Sequence, residues 1–178
     1  MDPKDRVPAE WPDLDPEQLL RRLTAAGVDF VVIGGMALVL AGSARLTRDL
    51  DIVFPPDDGN LDALGSLLCD LDAKLRGVSE DVPFAPDGRT IRNVQLLTLV
   101  TSLGWLDVHR EVDGMPKYEV LRRRAERVRL GDFSVLVAAP DDVIAMKQAA
   151  GRPQDLADIA EWETIKRLRH RHKQPGDD

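Results

Sequence analysis

Asp49 and Asp51 carry the clearest chemistry in this chain. They stand two residues apart in the apolar run DLDIVF, residues 49–54, which reads as a strand. Side chains two apart on a strand leave the same face, so the two carboxylates start about 6–7 Å apart at Cα. Like charges on a core strand repel and lose hydration unless a cation lies between them. Magnesium answers both problems, because it is a hard ion held by a few carboxylates together with substrate phosphates. Gly34 and Gly35 come earlier, closing the valine-rich segment VDFVVIG. A glycine pair between a strand and a helix exposes backbone N–H groups where a triphosphate can be cradled. Each feature alone has an ordinary reading, a tight turn or a solvated strand face. Together, in a strand–helix–strand context, they point to nucleotide chemistry.

The apolar pattern supplies the elements that must position these groups. Asp15-Pro16-Glu17 is a helix start, and PEQLLRRLTAA (16–26) places Leu19, Leu20 and Leu23 on one face before Gly27. VDFVVIG (28–34) reads as a buried strand and MALVLAG (36–42) as a short helix. In DLDIVF, Leu50, Ile52 and Phe54 share one face, and Asp49, Asp51 and Val53 the other. NLDALGSLLCDLDAKL (60–75) has helical spacing, with Cys69 expected to be a buried small hydrophobe. Residues 78–90 read as a loop, and VQLLTLVT (94–101) and GWLDVHREV (104–112) as strands. KYEVLRRRAERVRL (117–130) reads as a helix turning into a strand at RVRL, and Gly131-Asp132 leads into the strand FSVLVAA (133–139). DDVIAMKQAAG (141–151) and PQDLADIAEWETIKRLRHRHK (153–173) are helices, the second with an acidic start and a basic end that suit the helix dipole. Interleaved strands and helices predict one α/β domain over residues 15–172, with a flexible arm at 1–14 and a disordered tail at 173–178. Trp105 and Trp162 are expected in the core, and His109 in the core or beside the ligand groups.

Composition narrows the function classes. A chain of 178 residues that is 43% hydrophobic can bury a core without disulfide or metal staples. One cysteine excludes an internal disulfide, and three scattered histidines argue against a zinc cluster. The apolar stretch from Phe30 to Ala41 is too short to span a bilayer, and the N-terminus lacks a signal-peptide pattern, so a cytoplasmic protein without a membrane partner is expected. A net charge of −7 argues against non-specific coating of nucleic acid. The basic residues are nevertheless clumped, with five arginines in residues 121–129 and five Lys/Arg in residues 166–173. These strips are either solvated faces or the places where an otherwise acidic body meets RNA.

Hydrophobic, Gly34-Gly35, 13 intervening residues, then Asp49-hydrophobic-Asp51 resembles the signature of the polymerase-β-like nucleotidyltransferase superfamily. That resemblance implies the nucleotidyltransferase fold, a mixed β-sheet flanked by helices with C-terminal helices. It also implies a third metal carboxylate on a later strand, where LGWLDVHREV offers Asp107 between Leu106 and Val108. More narrowly, GSARLTRDLDIV, LTLVTSLGWLDV and DDVIAMKQAAGRPQDLADIAEWE are similar to the AbiEii/AbiGii-type nucleotidyltransferases, many of them toxins of bacterial toxin–antitoxin pairs. In that group a lysine and a downstream aspartate complete the site; here they would be Lys147 and Asp158, with Arg152 and Asp155 close by. The implied chemistry is transfer of an NMP from an NTP such as ATP to a hydroxyl acceptor, with Mg²⁺ or Mn²⁺ at Asp49, Asp51 and Asp107. Gly34, Gly35, Ser43, Arg48 and Lys147 are the candidate nucleotide contacts. The acceptor implied is RNA, a tRNA 3′ end above all, or a protein hydroxyl, and a cognate antitoxin is the implied protein partner. A small-molecule, antibiotic-modifying transferase and a non-catalytic binding or antitoxin module of the same fold remain as alternatives.

Overall fold

Asp15 caps the first helix, α1 (Pro16–Ala25): its carboxylate accepts the Gln18 N–H at 3.0 Å, and Pro16 occupies the first turn, where no donor is needed. The computed structural model describes residues 12–78 and 84–173. Most of the expected arm (1–11) and tail (174–178) therefore lies outside the described residues. Leu14 packs closely on Gly104, and the Asp15 N–H donates to the Leu103 carbonyl at 3.0 Å, which fixes the entry to α1.

The remaining elements, in chain order, are β1 (Val31–Ile33), α2 (Gly34–Leu40), β2 (Asp49–Val53), α3 (Asp58–Asp70), β3 (Lys74–Leu75), α4 (Gly88–Arg92), β4 (Leu96–Thr101), β5 (Gly104–His109), α5 (Tyr118–Arg124), β6 (Glu126–Leu130), β7 (Phe133–Val137), α6 (Pro140–Ala150) and α7 (Pro153–Lys173). The strands form one mixed sheet in the order β3-β4-β5-β2-β1-β7-β6. β2 runs parallel to β5 and β1 parallel to β7, and the other pairs are antiparallel. This is a mixed α/β fold with helices flanking the sheet and two helices at its C-terminal end. No helix among the described residues is long and apolar enough to cross a membrane.

Leu50 and Ile52 are fully buried on one face of β2, so strand alternation turns Asp49 and Asp51 to the other. On β5, Asp49 stands opposite Trp105 and Asp51 opposite Asp107, which aligns all three aspartates on one side of the sheet. α2 packs on α6 and α6 on α7, and that side of the molecule carries the site.

Four expectations change. The helix expected over 60–75 runs instead from Asp58 to Asp70, started by the Asp57 cap and ended where Asp72 takes a left-handed φ of 49°. Lys74 and Leu75 then pair with β4 as the edge strand. Within the expected loop 78–90, Asp87 caps the short helix α4 through the Thr90 N–H, while residues 79–83 lie outside the described residues. Cys69 is exposed, not buried, since it falls outside the stripe formed by Leu61, Leu64 and Leu68. Trp162 is in the core as expected, and Trp105 is half-buried.

Candidate functional site

Sheet and helices enclose a cleft of about 210 Å³ lined by Gly34, Gly35, Arg45, Thr47, Asp49, Asp51, Asp107, His109, Lys147, Arg152 and Asp155 among others. β2 and β5 supply its floor. Asp51, Asp107 and His109 each bring a ligand atom within 4.8 Å of the others, and His109 Nε2 lies 3.1 Å from Asp51 Oδ1. Asp49 lies outside this cluster, and the Thr47 hydroxyl is 3.2 Å from both its Oδ1 and its backbone carbonyl oxygen.

Gly34 does more than expose backbone. Its φ is +65°, in the left-handed region, and a Cβ there would lie only 2.9 Å from Asp51 Cγ. A Cβ on Gly35 would sit 3.0 Å from Thr47 Oγ1 and 3.2 Å from the Arg45 guanidinium carbon. The glycine pair therefore lets the acidic strand and the Arg45–Thr47 segment close onto the start of α2. Gly34→Ala is expected to cost about 1–2 kcal/mol through the left-handed backbone alone and to push the Asp51 carboxylate off its position. A thermal melt and a Mn²⁺ titration check this, and an unchanged Mn²⁺ affinity would show that Asp51 needs no such space.

Asp107 is buried, and its Oδ1 has no hydrogen-bond partner among the described residues. Its Oδ2 accepts from Arg76 Nη2 at 2.8 Å, and the Arg76 guanidinium lies 4.7 Å over the Trp105 ring. Burial pushes the Asp107 pKa up to about 6; Arg76 opposes the rise, and the charges of Asp51 and Asp49 add to it. A carboxyl whose pKa rises on folding binds more protons in the folded state, so stability falls as pH climbs from about 4 through about 6. In chelator, the stability of Asp107→Asn relative to the parent chain should therefore grow by about 2 kcal/mol between pH 4.5 and pH 8. Denaturant melts at the two pH values measure this, and parallel curves would refute it. Two clustered carboxylates, one of them with an orphaned buried oxygen, and an imidazole make a donor set that fits a divalent cation.

The far wall of the cleft is a chain of ion pairs built on two buried aspartates. Lys147 Nζ, only 9% exposed, donates to Asp155 Oδ1 at 3.1 Å and lies 2.6 Å from Asp158 Oδ2. Arg45 pairs with Asp158 from one side, and Arg152 Nε donates to Asp155 Oδ2 at 2.7 Å from the other. Burial pushes Asp155 up, but hydrogen bonds from Arg152 and Lys147 overcome it and hold the group below the usual carboxylate range. Three cations against two anions leave this wall with a charge of +1, facing the acidic floor.

Asp49, Asp51, Asp107, Lys147, Gly34 and Gly35 thus meet in one cleft, with Asp158 buried just behind it. Ser43 and Arg48 are placed elsewhere. The Ser43 hydroxyl donates to Glu161 Oε1 at 2.8 Å and links α2 to α7, and Arg48 is exposed and absent from the lining. Arg76 has no sequence signal, because it reaches Asp107 across an intervening strand. Among the described residues, no member of either basic strip lines the cleft. Arg122 pairs with Asp29 and Arg124 with Asp142, each at 3.1 Å, while Arg169 donates to the Ala41 carbonyl at 2.5 Å and lies over the Trp162 ring.

Residues 14–172 match the family described as "Nucleotidyltransferase of unknown function (DUF6036)", a different group from the AbiEii/AbiGii-type enzymes that the motifs resemble. No curated protein matches the chain. Among solved structures, one described as "a putative nucleotidyltransferase" from Thermotoga maritima is similar, at 18% identity and a TM-score of 0.47. The match covers 90% of this chain and 97% of that one.

Proposed function

Because the chain belongs to the nucleotidyltransferase family matched over residues 14–172, we propose that it moves an NMP from an NTP to a hydroxyl acceptor at this cleft. The observation that carries the reading is the register of β2 on β5, which brings Asp49, Asp51 and Asp107 to one face beside Gly34 and Gly35. Asp51 and Asp107, with Asp49 one step along β2, would hold Mg²⁺ or Mn²⁺, which when bound neutralises the triphosphate and acidifies the acceptor hydroxyl. Gly34 and Gly35 offer the triphosphate a close approach to backbone. Arg152, 74% exposed at its side chain, is the wall cation that reaches the phosphates. Lys147 anchors the wall, because both Asp155 and Asp158 already use its ammonium. The acceptor oxygen attacks the α-phosphorus in line as the bond to the pyrophosphate oxygen breaks, and the Asp107 carboxylate orients that hydroxyl and takes its proton.

RNA, with a tRNA 3′ end first, is the proposed acceptor, and a toxin neutralised by a cognate antitoxin is the proposed setting. The five arginines of the first strip support RNA less than their number suggests, because Arg122 and Arg124 already pair with Asp29 and Asp142. The test is incubation with each labelled NTP, Mg²⁺ or Mn²⁺ and total RNA, followed by separation of RNA, protein and small molecules. Label in RNA supports the reading. Label in a small hydroxylated compound supports the antibiotic-modifying alternative, and no label in any fraction with any NTP supports the binding-module alternative.

A further inference from the structure

The proposed cation site has an unusual neighbour. Trp105, Asp107 and His109 alternate along β5, and β5 lies in register with β2, so His109 shares the face of Asp51 and Asp107. His109 Nε2 is 3.1 Å from Asp51 Oδ1, and the ligand atoms of all three residues lie within 4.8 Å of one another. Metal–ligand bonds of about 2.1 Å put neighbouring ligand atoms about 3–4 Å apart, so this cluster needs only a small contraction to close on one ion. The side chains are 16%, 20% and 11% exposed for His109, Asp51 and Asp107, which limits competition from water. Asp107 Oδ1 is buried and unpartnered, as a ligand atom awaiting a cation would be. Asp49, by contrast, is engaged with Thr47.

Resting on the proposed function above, we infer that His109 is a direct nitrogen ligand in this site, and that the resident ion is a transition divalent cation such as Mn²⁺ in preference to Mg²⁺. Two carboxylate oxygens and an imidazole make a mixed N/O donor set. Magnesium is hard, takes oxygen and holds its waters, and gains little from an imidazole. Manganese also favours oxygen but, as a first-row transition ion, takes an imidazole nitrogen more readily than magnesium does, and its heavier neighbours favour that ligand. The ordinary role for His109 would be a hydrogen bond that only orients Asp51, and the two roles differ in whether nitrogen touches the ion.

Pulsed EPR on the tag-free full chain loaded with Mn²⁺, without nucleotide, reads this directly. Modulation from a directly bound ¹⁴N is expected in the parent chain and should vanish in His109→Gln. Competition titrations should show Mn²⁺ preferred over Mg²⁺, with the ratio falling about tenfold in His109→Gln. Bound Mn²⁺ without nitrogen coupling, or a Mn²⁺/Mg²⁺ ratio unchanged in His109→Gln, would overturn the inference while leaving the carboxylate site standing. Undiminished Mn²⁺ binding in an Asp51→Asn/Asp107→Asn variant would instead bring down the carboxylate site itself, as would a parent chain that binds no Mn²⁺.

Discussion

Replacing Asp49 and Asp51 together by asparagine should abolish divalent-dependent NTP binding and slow transfer at least roughly 10²-fold, the size expected when one electrostatic stabiliser is removed. Asparagine keeps the shape of each side chain, so the close fit of Asp51 against Gly34 survives and the fold has no steric reason to change. Only charge and ligand strength are lost. The structure adds an internal control, since Asp51 and Asp49 both help raise the Asp107 pKa to about 6. In the double variant that carboxyl should titrate lower, because burial alone then opposes the attraction of Arg76. Isothermal titration with NTP in the presence and absence of divalent ion tests the main effect, and carboxyl NMR the control. Metal-dependent NTP binding that persists while Asp107 shifts down would place the nucleotide site elsewhere on a correctly folded protein.

The acidic floor was legible because it depends on local rules. A strand of period two sets Asp49 and Asp51 on one face, whereas Asp107 followed from the family resemblance, which asks for a third carboxylate on a later strand. The glycine pair was legible as a special turn, but its reason was not. The contact it permits is with Asp51, 17 residues on, and only the pairing of β1 with β2 brings the two together. Arg76 was invisible for a stronger form of the same reason. Its N–H donates to the Thr98 carbonyl, Thr98 stands opposite Asp107, and the long side chain crosses β4 to reach β5. Nothing in a segment that reads as the end of a helix announces a sheet edge, still less its third neighbour. The basic strips show the opposite failure. Clumped arginines suggest an exposed surface for RNA, yet pairing with Asp29 and Asp142, which lie on other elements, had already claimed two of them.

Lys147 turns on the same distinction between what a helix pattern shows and what the tertiary contacts decide. As a surface lysine in an apolar helix, it could be truncated without harm. The structure buries it between Asp155 and Asp158, and the expected result changes accordingly. Lys147→Met keeps most of the stem and removes the charge, leaving two buried carboxylates short of a partner. Breaking a buried pair from one side costs about 3–5 kcal/mol, and the lower figure applies here because Arg45 and Arg152 still serve Asp158 and Asp155. For a chain of this size, the melting temperature should fall by about 10 °C. Adding Asp158→Asn to Lys147→Met should recover part of the loss, since it removes one of the stranded charges. Arg152→Ala should behave differently. Its own side chain is exposed and Lys147 still serves the buried Asp155, so stability should fall by less than in Lys147→Met, while NTP affinity falls because the wall loses its outward cation. Thermal melts and NTP titrations on the four proteins separate the two roles. If Lys147→Met melts with the parent chain and loses NTP instead, the lysine reaches the phosphates and the wall is held together by its arginines.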